Sequence, residues 1–199
     1  GVYANGQVRG FSASDAGNAR IEGLYFNENG AFTDLLLSGA DIRVGLTAFG
    51  QPFPAPTGIV DTQLRRVTSD RTIVSLRLNS GEYLGPDASV EASIPVTGTF
   101  GINAALGYFD DEYPDGSSAW FVSYGAVARW RPVTDTELTA FFSRYDYGDE
   151  EQGPVLFTAG PFLPKRIERR VFFGQQWGEW RGHSQNVGGI ARTRLGEWR

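Results

Sequence analysis

The feature that most constrains this chain is a strict two-residue alternation that sets in near residue 70 and returns segment after segment. Val90, Ala92, Ile94 and Val96 alternate with Ser89, Glu91 and Ser93. Phe100, Ile102, Ala104, Leu106 and Tyr108 alternate with Gly101, Asn103, Ala105 and Gly107. Trp120, Val122, Tyr124, Ala126, Ala128 and Trp130 alternate with Phe121, Ser123, Gly125, Val127, Arg129 and Arg131. Side chains return to the same side every 3.6 residues in a helix and every two in a strand, so alternation of this length specifies β-strand. Leu138, Ala140 and Phe142 continue the series, and Val187, Gly189, Ala191, Thr193 and Leu195 continue it more weakly.

These segments reach the roughly 9–11 residues that a tilted strand needs to cross a bilayer. Their second face is mostly small or polar. One face therefore suits lipid and the other a watery or plugged lumen. In a soluble sandwich the apolar face would point into a packed core instead. Aromatic residues gather near segment ends, at Tyr108 and Phe109, Trp120, Trp130, Tyr145 and Tyr147, and Trp198. They read as the interfacial girdles of a membrane barrel. Connections alternate in length. Val96-Thr97-Gly98 and Pro132-Val133-Thr134-Asp135 are short, whereas those around 79–87, 110–118 and 148–182 are long. Outer-membrane barrels sort their loops by side in this way.

Composition removes whole classes of function. The 199 residues include 18 basic and 23 acidic side chains, a net charge of -5, one histidine and no cysteine. A nucleic-acid binder would want a basic face. Without cysteine there is no disulfide, Cys-ligated zinc, iron–sulfur cluster or thiol nucleophile. No run of about 18 apolar residues exists to form a membrane helix, which leaves a barrel open. His183 stands alone and predicts no metal site. No Gly-x-Ser-x-Gly elbow, phosphate-binding loop or dinucleotide fingerprint appears. The chain is thus expected to be no enzyme and to carry no cofactor. Asp110-Asp111-Glu112 and residues 146–151 are expected as solvated acidic loops. Lys165-Arg166 with Arg169-Arg170 is a basic patch in the longest loop, expected as a solvated loop first, with lipopolysaccharide phosphates or an anionic ligand as the alternative.

Residues 1–67 follow another pattern. Short apolar clusters, Ile21 to Phe26 and Leu35-Leu36-Leu37, are separated by turn signals at Asn27-Glu28-Asn29-Gly30 and Ser38-Gly39. Gln51-Pro52-Phe53-Pro54-Ala55-Pro56 fits neither a helix interior nor a central strand, because proline removes backbone donors. This region predicts a small mixed α/β unit with long loops.

Its motifs carry a resemblance. Val8-Arg9-Gly10-Phe11-Ser12, followed by Asn18-Ala19-Arg20-Ile21-Glu22-Gly23-Leu24-Tyr25, resembles the plug of TonB-dependent outer-membrane receptors. Ala40-Asp41-Ile42-Arg43-Val44-Gly45, then Ala48-Phe49-Gly50, then Thr57-Gly58-Ile59-Val60-Asp61, is similar to the second plug signature in order and approximate spacing. Val44 stands where the family usually has arginine, and Glu22 where it has Asp or Asn. The resemblance implies a plug domain over 1–67 and about six N-terminal strands of an antiparallel transmembrane β-barrel over 68–199. A whole barrel of this kind has about 22 strands, so the chain is expected to be a fragment, without signal peptide, TonB box or the remaining strands.

The function implied is TonB-energised uptake of a scarce solute, foremost a ferric siderophore-type chelate, across the outer membrane of a Gram-negative bacterium. The implied partners are TonB, the chelate, and outer-membrane lipid with lipopolysaccharide. Nucleic acid is not among them. The candidate ligand contacts are Arg9, Phe49, Gln51, Phe53, Tyr145 and Tyr147. For Arg9 a salt bridge that ties plug strands to the barrel wall is the favoured role, ahead of ligand contact. Two other readings stay open at this level. One is a passive outer-membrane barrel without TonB coupling. The other is a soluble all-β ligand- or carbohydrate-binding module, which requires the apolar face to be buried within the chain.

Overall fold

Short strands build most of the described part of the N-terminal region in the computed structural model. β1 (Tyr3–Ala4), β2 (Gln7–Val8) and β3 (Phe11–Ser12) form a three-stranded sheet. β4 (Ala19–Ile21), β5 (Leu24–Tyr25), β6 (Leu37–Arg43) and β7 (Ile59–Leu64) form a second sheet in the order β5-β4-β7-β6. The structure describes residues 3–4, 7–8, 11–13, 15–26, 30–45, 58–81, 85–151, 160–162, 168–175, 177–194 and 196. Among them there is no α-helix, and the one complete helical element is the 3-10 turn Asp34–Leu36. Leu35-Leu36-Leu37 is too short a run to repeat a helical face, and Leu37 already turns extended.

The alternating segments form one six-stranded sheet. β8 (Ile73–Ser80), β9 (Pro86–Thr97), β10 (Phe100–Glu112), β11 (Ser118–Val133), β12 (Thr136–Glu151) and β13 (Glu179–Thr193) pair in chain order, each antiparallel to the next. Two adjacent rows across it show how register separates the faces. Val74, Ala92, Ala104, Ala126, Phe142 and Val187 share one row and one face. Ser75, Glu91, Ala105, Gly125, Ser143 and Asn186 form the neighbouring row on the other face. A slip of one residue would exchange them.

The small, polar face is the one that packs against the N-terminal region. Ile21, Leu36 and Leu64 form a buried cluster with Ala105, Val127, Phe141 and Ile190 of the sheet, edged by Phe26, Phe32, Leu35 and Leu37. The smallness of that face has a direct cause. A Cβ on Gly125 would lie 2.2 Å from the Phe142 carbonyl oxygen and 2.8 Å from Leu36 Cδ1. One on Gly107 would lie 2.9 Å from Leu35 Cδ1. The apolar face stays outward and open. Leu76 is 69% exposed, Leu106 49% and Val187 71%. The sandwich-like alternative required this face to be buried within the chain, and among the described residues it is not.

The short turns are set by local chemistry. Thr97 Oγ1 accepts from the amides of Thr99 and Phe100 at 3.2 and 3.0 Å, closing the β9–β10 connection. At the other end the strands outrun the sequence expectation. Asp110-Asp111-Glu112 and Asp146 to Glu151 are strand ends rather than loops, because the ladder continues through them: Asp110 pairs with Trp120 and Asp146 with His183. Parity also corrects the girdle. Tyr108, Trp120 and Trp130 lie on the outward face, but Phe109, Tyr145 and Tyr147 lie on the inward one with Phe121. Trp198 lies outside the described residues.

Candidate functional site

Two features of the inward face stand out. One is an ionic seam at the short-turn end, the other an aromatic wall toward the long-loop end.

The seam is centred on Glu22. It follows β4 in a left-handed conformation, φ 53°, which costs an L-residue other than glycine or asparagine about 1 kcal/mol. The next residue is Gly23, whose amide donates to Asp61 Oδ1 at 2.8 Å. This turn aims the Glu22 carboxylate at the six-stranded sheet. Its Oε1 accepts from Arg129 Nη2 at 2.5 Å and from the Leu64 amide at 3.0 Å. Its Oε2 accepts from Arg192 Nη1 at 3.0 Å and Arg66 Nη2 at 3.2 Å. Arg192 also donates to the Glu22 carbonyl. Burial pushes this carboxyl up, but the donors Arg192, Arg129 and the Leu64 amide outweigh it and hold it below its ordinary value.

A second carboxylate completes the seam. Glu137, on β12, accepts from Arg66 Nη1, Arg129 Nη1 and Arg131 Nε at 3.0, 3.0 and 2.8 Å. Arg129 is therefore shared. Its Nη1 also donates to Thr139 Oγ1 at 3.0 Å, and its Nη2 to the Leu64 carbonyl at 3.3 Å. Removing charges from water is costly, and this arrangement offsets the cost by bonding every carboxylate oxygen. The Arg65–Glu91 pair adds a further link between the two parts of the chain. So do hydroxyls. The Thr33 amide donates to Ser143 Oγ at 3.0 Å, and Thr33 Oγ1 donates to Ser123 Oγ at 3.2 Å.

The aromatic wall lies further along the same face. Phe109 and Phe121 stack with centroids 4.4 Å apart and planes at 17°. Tyr145 tilts against Phe121 at 5.7 Å. Tyr147 pairs with Phe121 on one side and Gly182 on the other. Its ring lies over Gly182, where a Cβ would meet the phenol oxygen at 2.8 Å. Above the wall, the loop beyond β10 is shaped by Asp115, whose Oδ1 accepts from the Ser117 amide and hydroxyl at 3.1 and 2.7 Å.

Of the candidate ligand contacts, Tyr145 and Tyr147 come together on this wall. Arg9, Phe49, Gln51 and Phe53 lie outside the described residues, as do Lys165 and Arg166. Arg169 and Arg170 are exposed, and the Arg170 amide donates to the Pro114 carbonyl at 2.9 Å. His183 stands on the outward face opposite Asp146, which is clamped by Arg144 at 2.8–3.0 Å. The ionic seam is absent from the sequence expectations. Its signal is Arg129 with Arg131, two charges at inward parity near the end of a strand whose inward face is otherwise small and apolar.

No protein-family model matches the chain, and no curated protein matches it significantly. Solved structures do, among them the ferripyoverdine receptor FpvA of Pseudomonas aeruginosa. FpvA of Pseudomonas aeruginosa, bound to a heterologous pyoverdine with iron, superposes with a TM-score of 0.70 at 15% identity, over 98% of this chain and 27% of that one. The ferripyoverdine receptor of the P. aeruginosa outer membrane, bound to ferripyoverdine, gives 0.66 at 16%, over 95% and 26%. The FpvAI–pyocin S2 complex gives 0.67 at 16%, over 95% and 25%. This chain spans about a quarter of those chains. At such identity the likeness is one of fold.

Proposed function

We propose that the chain is part of an outer-membrane receptor that takes up a ferric siderophore-type chelate with energy delivered by TonB. The observation that carries this reading is the seating of a small N-terminal unit on the polar face of a long-stranded sheet whose apolar face is open. The likeness of that arrangement to the ferripyoverdine receptors supports it. In this reading residues 1–67 are the later part of a plug and 68–199 the first wall strands of a barrel in the outer membrane of a Gram-negative bacterium. Lipid and lipopolysaccharide surround the wall.

The two features of the inward face then have separate tasks. The wall of Phe109, Phe121, Tyr145 and Tyr147 offers ring faces to a chelate entering from the long-loop side, together with Arg9, Phe49, Gln51 and Phe53 from the plug. Stacking of this kind contributes about 0.5–1.5 kcal/mol per ring pair beyond burial. The seam of Glu22, Arg129 and Arg192 holds the plug to the wall until TonB pulls on a segment ahead of it. The plug rearranges and the chelate passes.

The test is uptake of iron-55 chelates by cells carrying the complete receptor in the outer membrane, with and without TonB. Uptake that needs both receptor and TonB supports the reading. Uptake that persists without TonB makes the protein a passive barrel, and recovery in the soluble fraction makes it a binding module.

A further inference from the structure

The seam is not electrically balanced. Four guanidinium groups, those of Arg66, Arg129, Arg131 and Arg192, converge on two carboxylates, Glu22 and Glu137. Two positive charges are left unmatched, in a chain whose net charge is -5. Arg194 adds a third at the end of β13, with no ion pair among the described residues.

The surplus is also open to solvent. Arg129 is buried and its nitrogens are occupied by Glu22, Glu137, Thr139 and two backbone carbonyls. Arg131 is different. Only its Nε is bonded, to Glu137, and its side chain is 60% exposed. Arg66 and Arg131 together line two clefts at the short-turn end. One, of about 540 Å³, lies beneath the Thr97–Phe100 turn and has Asp70 as its acidic member. The other, of about 420 Å³, adds Arg192 and Arg194, against Asp135 and Glu137. Glu137 sits between Arg66 and Arg131 and fixes their orientation, so the Nη1–Nη2 edge of Arg131 is free and pre-positioned.

We propose that this end of the sheet holds an oxyanion site, with Arg66, Arg131, Arg192 and Arg194 taking a carboxylate or phosphate group in the cleft above Glu137. A guanidinium presents two parallel donors that match the two oxygens of such a group, and charge assistance strengthens both bonds. The chemistry is complementary: two acidic side chains line this cleft against four basic ones, and an added anion brings the count toward neutrality. The site lies at the opposite end of the inward face from the aromatic wall and does not depend on the cargo read for that wall. Because all four arginines are partly exposed, binding weakens with ionic strength.

The experiment is isothermal titration of the detergent-purified protein at low ionic strength, with inorganic phosphate in one series and succinate in another. Two double variants are compared, Arg131→Gln with Arg194→Gln, and Arg77→Gln with Arg181→Gln as a charge-matched control on exposed strand positions outside the cleft lining. The expected result is saturable binding of at least one anion, weakened about tenfold in the first variant and unchanged in the second. Binding of phosphate alone assigns an inorganic anion. Binding of succinate alone assigns a carboxylate ligand. The proposal fails if neither anion saturates, if the first variant binds like the parent, or if both variants weaken equally, since that would reflect bulk charge.

Discussion

Arg129 Nη2 lies 2.5 Å from Glu22 Oε1, across 107 residues of sequence, and both side chains are buried. The bond joins a turn of the N-terminal unit to the middle of the sheet. It is the centre of the only ionic network among the described residues in which one buried carboxylate, on Glu22, meets three arginines.

Replacing Glu22 by alanine leaves Arg129 buried without its main counter-charge. The expected cost is about 3 kcal/mol, typical of a buried pair broken on one side. The N-terminal unit then separates more readily from the sheet. Trypsin cleavage at Arg65, Arg66 or Arg71, in the segment between the two, reads this directly. A variant as resistant as the parent would show that apolar contacts alone hold the unit in place.

The same carboxylate sets a pH dependence. Its folded pKa lies below the ordinary value of 4.5, the arginines outweighing burial. A group whose pKa is lowered by folding contributes its stability above the unfolded value and loses it as pH falls through the folded one. Seating of the N-terminal unit is therefore expected to be insensitive to pH from 7 down to about 4.5 and to weaken below it. Protease resistance between pH 7 and pH 3, followed with an acid protease at the low end, checks the direction. Glu22→Gln should flatten the curve.

Gly125 is required for close approach. A Cβ there meets backbone on one side and Leu36 on the other, and the carbonyl of Phe142 cannot rotate away without breaking the ladder. Gly125→Ala is expected to cost about 1–3 kcal/mol, as for other overpacked sites. Thermal unfolding in micelles followed by near-ultraviolet circular dichroism measures it.

Ile102 lies on the outward face between Ile94 and Ala128. If that face meets lipid, Ile102→Arg impairs assembly by about 2–4 kcal/mol at mid-bilayer. Asn103→Ser, one residue on and facing inward, should assemble normally. Folding yield into lipid vesicles, read as the heat-modifiable gel shift of folded barrels, separates the two faces. Equal yields would reverse the assignment of inside and outside.

Much of this architecture was legible in the residues. The alternation from Val90 to Phe142 specified the strands, and register followed from it, because a slip would bury the wrong face. Short turns at Thr97 and Thr134 and long connections between them gave the up-and-down order. Less was legible at strand ends. The acidic runs at Asp110 and Asp146 looked like loops, since local polarity cannot reveal that a neighbouring strand continues the ladder. Tyr145 and Tyr147 stood among girdle residues by position, and only parity in the paired sheet turned them inward.

What the sequence determined by itself is everything that depends on neighbours in the chain: strand, face, turn, and the absence of a chemistry that needs cysteine or clustered histidine. What the tertiary structure decided is everything that depends on distant partners. Glu22 reads as a motif position where the family has Asp or Asn, with no partner in view, and Arg129 as one charge in a strand. Their bond, and the two clefts beside it, arise because apolar contacts of Ile21, Leu36 and Leu64 bring the N-terminal unit onto the sheet. Burial is a property of packing, and a charge acquires its partner only when packing removes the water that would otherwise solvate it.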